Sequence, residues 1–195
     1  MSLLNNISHY NIVLGSQSPR RKELMTGLNL KFEIKEIDVE ETYPSHYFGV
    51  DIPMYLAEKK ANAYKPSMDE QTMLITADTI VWHQGKVIGK PVDREDAYRI
   101  LMALSGKTHQ VITGVCISTL ERKKTFHVIT EVRFANITES EINYYLDHYK
   151  PYDKAGSYGV QEWIGFVGVE HINGSYFNVM GLPVQRLYNE LKRWK

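Results

Sequence analysis

The sequence predicts an α/β protein built on a mixed sheet, and three observations carry that prediction. Strand-like and helix-like stretches intersperse along the whole chain. Near the start, a short apolar strand runs directly into a capped helix, as in a parallel strand–helix unit. Further on, two long runs rich in β-branched residues, 111–119 and 125–135, follow one another across the polar turn 121–124, which asks for antiparallel pairing. The 195 residues show no repeat, low-complexity tract or Gly/Ser linker, so a single domain is expected.

Residues 11–15 form the first apolar strand. Ser18 suits a helix cap and Pro19 the first helical position, giving a helix over 19–26 that Gly27 stops. Residues 31–37 alternate as a strand. Residues 52–64 have helical spacing and break before Pro66. Residues 73–77 read as a buried strand ending at Asp78-Thr79. Residues 80–83 and 86–88 flank Gln84-Gly85, a hairpin turn. Asp93 caps a helix over 93–104, and Thr138-Glu139-Ser140-Glu141 is a capping box that opens another through Tyr149. Residues 151–159 read as a loop and 166–172 as a strand. A closing helix spans 183–195, with Leu187 and Leu191 on one face.

The totals exclude several classes. Lys+Arg and Asp+Glu are 23 each, so formal net charge is zero and there is no whole-protein footprint for nucleic acid. Any anion site must be local. The one cysteine, Cys116, lies in an apolar run, where a buried thiol is the default. The start, Met1-Ser2-Leu3-Leu4-Asn5-Asn6, lacks the charged region and apolar core of a signal peptide. No stretch is apolar for long enough to cross a bilayer, so no membrane partner and a cytoplasmic location are expected.

The segment Ser16-Gln17-Ser18-Pro19-Arg20-Arg21 is the clearest chemical signal. Arginine in a first helical turn opposes the helix dipole. Serine hydroxyls, helix-terminal N–H groups and guanidinium forks together suit a phosphate. The plainer reading is a surface helix start with solvated arginines. Asp78 follows a buried apolar strand, where an unpaired carboxylate is costly, so it either caps backbone or takes part in chemistry. Lys90, between Gly89 and Pro91, is either a point-charge phosphate ligand or a solvated loop lysine. Glu40-Glu41 after a strand is either a hard-cation site or a wet turn. The stretch 153–161 is small and glycine-rich and ends in Gln161, whose amide both donates and accepts; it is either a ligand-reading loop or a flexible connector. Ser105-Gly106-Lys107-Thr108 imitates the end of a P-loop, but Leu101 stands where the required glycine belongs.

Taken in order, these segments resemble the Maf family of nucleoside triphosphate pyrophosphatases, also known as septum formation inhibitor Maf. Residues 16–21, Ala77-Asp78-Thr79, Gly89-Lys90-Pro91, Leu104-Ser105-Gly106, 153–161, Ile172-Asn173-Gly174-Ser175 and Gly181-Leu182-Pro183 carry the likeness over nearly the whole chain. The resemblance implies an elongated, twisted mixed sheet flanked by helices, like the inosine triphosphate pyrophosphatases, with a cleft between two lobes. It implies hydrolysis of a nucleoside triphosphate to the monophosphate and pyrophosphate with a divalent metal, Mg²⁺ first and Mn²⁺ as the other candidate. Carried onto matching positions, Asp78 is the proton acceptor. Ser16, Ser18, Arg20, Arg21, Lys60 and Lys90 hold the substrate, and Glu41 and Asp78 the metal. Arg20, Thr79 and Gln161 are tied to substrate choice. The stretch Ala155-Gly156-Ser157-Tyr158-Gly159-Val160-Gln161 is similar to the branch that prefers dTTP and UTP. Two departures stand out: Glu162-Trp163 follows Gln161 where a glycine is common, and Gly15 stands where alanine is usual. A homodimer is implied by the resemblance alone. The family's older name implies a different class, a non-catalytic nucleotide-binding regulator of septation. A nucleic-acid binder is the third reading, against which the neutral charge weighs.

Overall fold

The computed structural model describes residues 4–195, so Met1-Ser2-Leu3 of the N-terminal stretch lie outside the described residues. In chain order the elements are β1 (Asn11–Gly15), α1 (Pro19–Gly27), β2 (Glu33–Lys35), α2 (Asp51–Tyr64), β3 (Thr72–His83), β4 (Lys86–Ile88) and α3 (Arg94–Leu104). There follow β5 (Thr108–Ser118), β6 (Lys123–Phe134), α4 (Glu139–Tyr149), α5 (Trp163–Gly168), β7 (Val169–Asn173), α6 (Tyr176–Met180) and α7 (Val184–Lys192). The seven strands form one mixed sheet in the order β2-β1-β3-β5-β6-β7, with β4 paired to β3. No helix among the described residues is long and apolar enough to cross a membrane.

Most elements form where local chemistry asks for them. Ser18 accepts from the Arg21 N–H at the start of α1, with Pro19 behind it. Asp93 accepts from the Asp96 N–H at 2.7 Å to open α3. Thr138 and Glu141 complete the reciprocal capping box of α4. Gln84 and Gly85 both adopt positive φ, 49° and 78°, as a two-residue turn between antiparallel strands requires.

Four expectations are corrected. The strand expected over 31–37 is only Glu33–Lys35, because its partner β1 ends at Gly15, which pairs with Lys35. Gly27 does not stop its helix: α1 runs through it, and the left-handed residue is Asn29, at φ 53°. Asp78 does not end a strand. β3 continues unbroken to His83, because β1 pairs with its first half and β4 with its last. The strand expected over 166–172 begins as a helical turn, α5, and becomes β7 only at Val169. Gly165 explains this: its N–H donates to Glu162 O at 2.8 Å, and a Cβ there would fall 1.8 Å from Val160 O. A close backbone turn thus overrides an apolar run whose periodicity suits either state. The short α6 is an element that the sequence does not announce.

The chain divides into two compact units. The first contains the residues up to Asp78, Thr113–Val128 and Gly181–Lys195; the second contains Thr79–Ile112 and Ile129–Met180. In the first, α2 covers parallel β1 and β3, and Val13, Ala57, Ala61, Leu74 and Cys116 pack as one cluster with Ile37, Tyr64 and Met68 against it. Burial pushes the Cys116 thiol up to about 11, so it stays protonated. Gly114 lets α2 approach: a Cβ there would lie 2.4 Å from the Pro53 carbonyl carbon and oxygen. In the second unit α3 packs on α4, burying Leu101, Leu104, Ile142 and Leu146. The false P-loop serine is structural there: Ser105 Oγ accepts from the Ile137 N–H at 2.8 Å.

Candidate functional site

The first unit brings Glu41, Lys60 and Asp78 into one cluster. Lys60 Nζ donates to Asp78 Oδ1 at 2.6 Å and to Glu41 Oε1 at 3.0 Å. Asp78 is 6% exposed and Lys60 8%, whereas the Glu41 side chain is 47% exposed. Hydrogen bonds from Thr76 and Lys59 fix this arrangement. Thr76 Oγ1 donates to Ala57 O at 2.7 Å, tying β3 to α2 one turn before Lys60. Lys59 Nζ donates to Glu40 O at 2.7 Å and to Thr42 O at 3.1 Å, pinning the segment that carries Glu41. Lys59 is a positioning residue that sequence reasoning missed; its signal was the pair of adjacent lysines on α2.

The electrostatics join α1 to this cluster. Burial raises the Asp78 carboxyl above its ordinary value, and Glu41 adds to that; the Lys60 and Arg21 charges pull the other way. Desolvation lowers Arg21, opposed by Asp78 and Glu41 and assisted by Arg20. The Arg21 Nε donates to Gly181 O at 2.8 Å, so the guanidinium is anchored to the segment before α7. Its NH1 reaches Ser16 Oγ at 3.5 Å, and Ser16 Oγ also accepts from the Ser18 N–H at 3.2 Å. Ser16 and Ser18 are therefore held to the turn, and Arg20 lies half-buried beside them.

Thr79, Lys90 and Gln161 belong to the second unit. Thr79 is half-buried in β3, and Lys90 is exposed just past β4. The Gly156 N–H donates to Gly89 O at 3.0 Å, joining the Lys90 segment to the loop that leads to Gln161. Much of that loop is buried. Lys154, Ser157, Tyr158 and Val160 are all buried, and Gly156 and Ser157 both have positive φ, 73° and 60°. The Tyr158 hydroxyl bonds His109 Nε2 at 2.7 Å, and both rings pack edge-on against Phe134. These anchors come from three separate stretches of chain, which explains why sequence spacing alone left the loop's character open.

Among the described residues no group of three or more His, Cys, Asp or Glu side chains could hold a metal by itself. The donor chemistry is two carboxylates, Glu41 and Asp78, both on the Lys60 ammonium. That set fits a hard divalent cation, which can take one or two carboxylates and complete its shell with phosphate oxygens and water.

The mixed sheet thus presents a buried, lysine-paired carboxylate whose charge is felt by an arginine of the serine- and arginine-rich start of α1. The family model for Maf-like proteins matches residues 11–194, and the chain belongs to the Maf family. It is 61% identical over 192 residues to a dTTP/UTP pyrophosphatase of Bacteroides fragilis (strain YCH46), covering 98% of this chain and all of the relative. Proteins of the same name from Parabacteroides distasonis and Phocaeicola vulgatus are each 57% identical, again covering 98% of this chain and 100% of theirs.

Proposed function

We propose that this chain hydrolyses dTTP and UTP to the monophosphate and pyrophosphate in the cytoplasm, acting as a metal-dependent homodimer of single Maf domains. The observation that carries this reading is full-length identity of up to 61% with relatives named dTTP/UTP pyrophosphatase. The cluster on β3 and α2 supports it chemically.

Asp78 is the proton acceptor in this reading. A free aspartate is a weak base at neutral pH, with a pKa of about 3.9. Burial makes Asp78 a stronger base, while Lys60 and Arg21 keep it from being neutralised. It takes the proton of the water that attacks the α phosphorus. Charge then grows on the departing pyrophosphate, and Arg20, Arg21, Lys90 and the N–H groups opening α1 stabilise it, with Ser16, Ser18 and Lys60 holding the triphosphate. Glu41 and Asp78 would hold the magnesium that accompanies the substrate; when bound, such an ion neutralises phosphate charge and lowers the pKa of water. Gln161 would meet the carbonyl and N3–H edge of a pyrimidine, with Arg20 and Thr79 contributing to the choice of substrate.

A nucleotide panel with Mg²⁺ and product identification tests the reading. The expected products are pyrophosphate with dTMP or UMP. Orthophosphate with the diphosphate would place the cut elsewhere. Nucleotide binding with no turnover under Mg²⁺ or Mn²⁺ would favour the septation regulator instead.

A further inference from the structure

The turn that carries Gln161 is closed by a side-chain network within the second unit. α4 supplies Tyr145, which is fully buried. Its hydroxyl accepts from the Gly159 N–H at 3.0 Å and donates to Glu162 Oε2. The other Glu162 oxygen, Oε1, meets Lys154 Nζ at 3.1 Å, and Lys154 also meets Asp153 Oδ1 at 2.7 Å. The Lys154 and Glu162 side chains are only 10% and 19% exposed. The backbone closes the same turn, with the Glu162 N–H on Gly159 O at 2.9 Å.

Gly159 is where these groups converge. A Cβ there would lie 2.7 Å from Glu162 Cδ and 3.0 Å from the Gln161 amide nitrogen. The Glu162 carboxylate, the Gly159 backbone and the Gln161 amide therefore share one small volume. Burial first, and then the adjacent Glu162, push the Tyr145 phenol above its ordinary value. Tyr145 thus remains a donor at any working pH. Without the Glu162 carboxylate, the phenol loses its acceptor and Lys154 keeps only Asp153.

We propose that Glu162 is a positioning residue for base selection: by accepting from Tyr145 and Lys154 it fixes turn 159–162, and with it the direction of the Gln161 amide. The inference rests on the reading of Gln161 as the base contact. A site that discriminates by hydrogen bonds depends on holding its amide within a fraction of an ångström, so looseness in this turn costs selectivity first.

The test compares wild type with Gln161→Ala, Glu162→Ala, Glu162→Gln and Tyr145→Phe. It measures kcat and KM for dTTP and dCTP with Mg²⁺, and inhibition by inorganic triphosphate, which has no base. Glu162→Ala is expected to lower the dTTP-to-dCTP ratio of kcat/KM by about tenfold, chiefly through the KM for dTTP, with inhibition by triphosphate unchanged. Glu162→Gln keeps an acceptor for Tyr145 but not the ion pair, and should fall between. Tyr145→Phe keeps the ring packing and should move the ratio as Glu162→Ala does; it also stands in if the alanine variant fails to fold. A general loss of kcat on both nucleotides with an unchanged ratio would reduce Glu162 to a structural role and overturn the proposal. If Gln161→Ala collapses the ratio while Glu162→Ala and Tyr145→Phe preserve it, the proposal fails and the base reading stands. If Gln161→Ala leaves the ratio intact, the base reading itself fails and takes the proposal with it.

Discussion

The two units bury titratable groups in opposite ways. Around β3 and α2 of the first, the buried groups are charged: Lys60 and Asp78 form an ion pair, and burial raises the carboxylate toward neutrality without freeing it from its cations. Behind the loop of the second, His109 and Tyr158 are buried as neutral partners. Burial, with His83 assisting, lowers His109 to about 4, and burial raises the Tyr158 phenol. A buried ion pair is a weak source of stability, because desolvation cancels much of its attraction. A neutral hydrogen-bonded pair carries a smaller desolvation cost than an ion pair. The comparison teaches that the first arrangement suits proton transfer next to an anion, whereas the second suits holding a loop still.

The sharpest way to break this contrast is Asp78→Asn. The amide oxygen can still accept from Lys60, and Glu41 still pairs with the same ammonium, so the fold should persist. Turnover should fall by roughly 10³-fold or more, as expected when a general base is lost. Circular dichroism and pyrophosphate release measured together decide it; near-normal release would remove Asp78 from the chemistry.

Lys60→Met comes next in size. It deprives a buried carboxylate of its nearest cation, a loss of about 3–5 kcal/mol where the charge must persist. The sign follows from linkage. Asp78, already raised by burial, rises further without Lys60, so the folded variant binds more protons than the unfolded chain. Its stability should fall as pH rises through that higher value. With Asp78 as the proposed proton acceptor, activity should lose its acid limb at higher pH than in wild type. Identical pH–rate limbs would mean that Lys60 does not set the ionisation of Asp78.

The first region was more legible than the second for a physical reason. The turn into α1 is local: Ser18, Pro19 and Arg21 sit within one helical start, and their chemistry is visible in consecutive residues. Asp78 was visible as a carboxylate in an apolar run. Its partner was not, because Lys60 is 18 residues away and becomes a neighbour only when α2 covers β3. The loop before Gln161 was harder still. Its anchors, His109 and Tyr145, come from β5 and α4, and neither has any local pattern that marks it. Turn 162–168 misled for the same reason: Val167 and Val169 look like strand, and only the contact between Gly165 and Val160 makes a helical turn.

His109 offers a test of the neutral arrangement. Its folded value of about 4 lies below the ordinary 6.5, so between these values the unfolded chain binds more protons. Stability is present above about pH 6.5 and drains as pH falls toward 4, by about 3 kcal/mol. His109→Gln keeps a polar partner for Tyr158 and removes the titration. Denaturant unfolding of both proteins across this range should show wild type losing ground to the variant as pH falls. Parallel curves would mean that His109 takes up its proton in the folded protein as it does in the unfolded chain.

The smallest effect is expected at Gly15, where the family resemblance leads one to expect alanine. A Cβ at this position would lie 2.4 Å from Ile37 Cδ1 and 2.9 Å from Thr76 Cγ2. The space an alanine methyl would need is already filled by the end of Ile37, a flexible side chain, and by a strand neighbour with less freedom. Gly15→Ala should therefore destabilise by about 1–2 kcal/mol, the ordinary cost of modest overpacking. Ile37→Val deletes the offending Cδ1 and leaves its Cγ1 at 3.4 Å, an ordinary contact. The double variant should recover at least half of the loss, and that non-additivity is the signature of a shared volume. Thermal unfolding of the four proteins gives the coupling directly. If Ile37→Val rescues nothing, Thr76 is the true obstacle, and the space beside β1 is set by the sheet and not by the segment that follows β2.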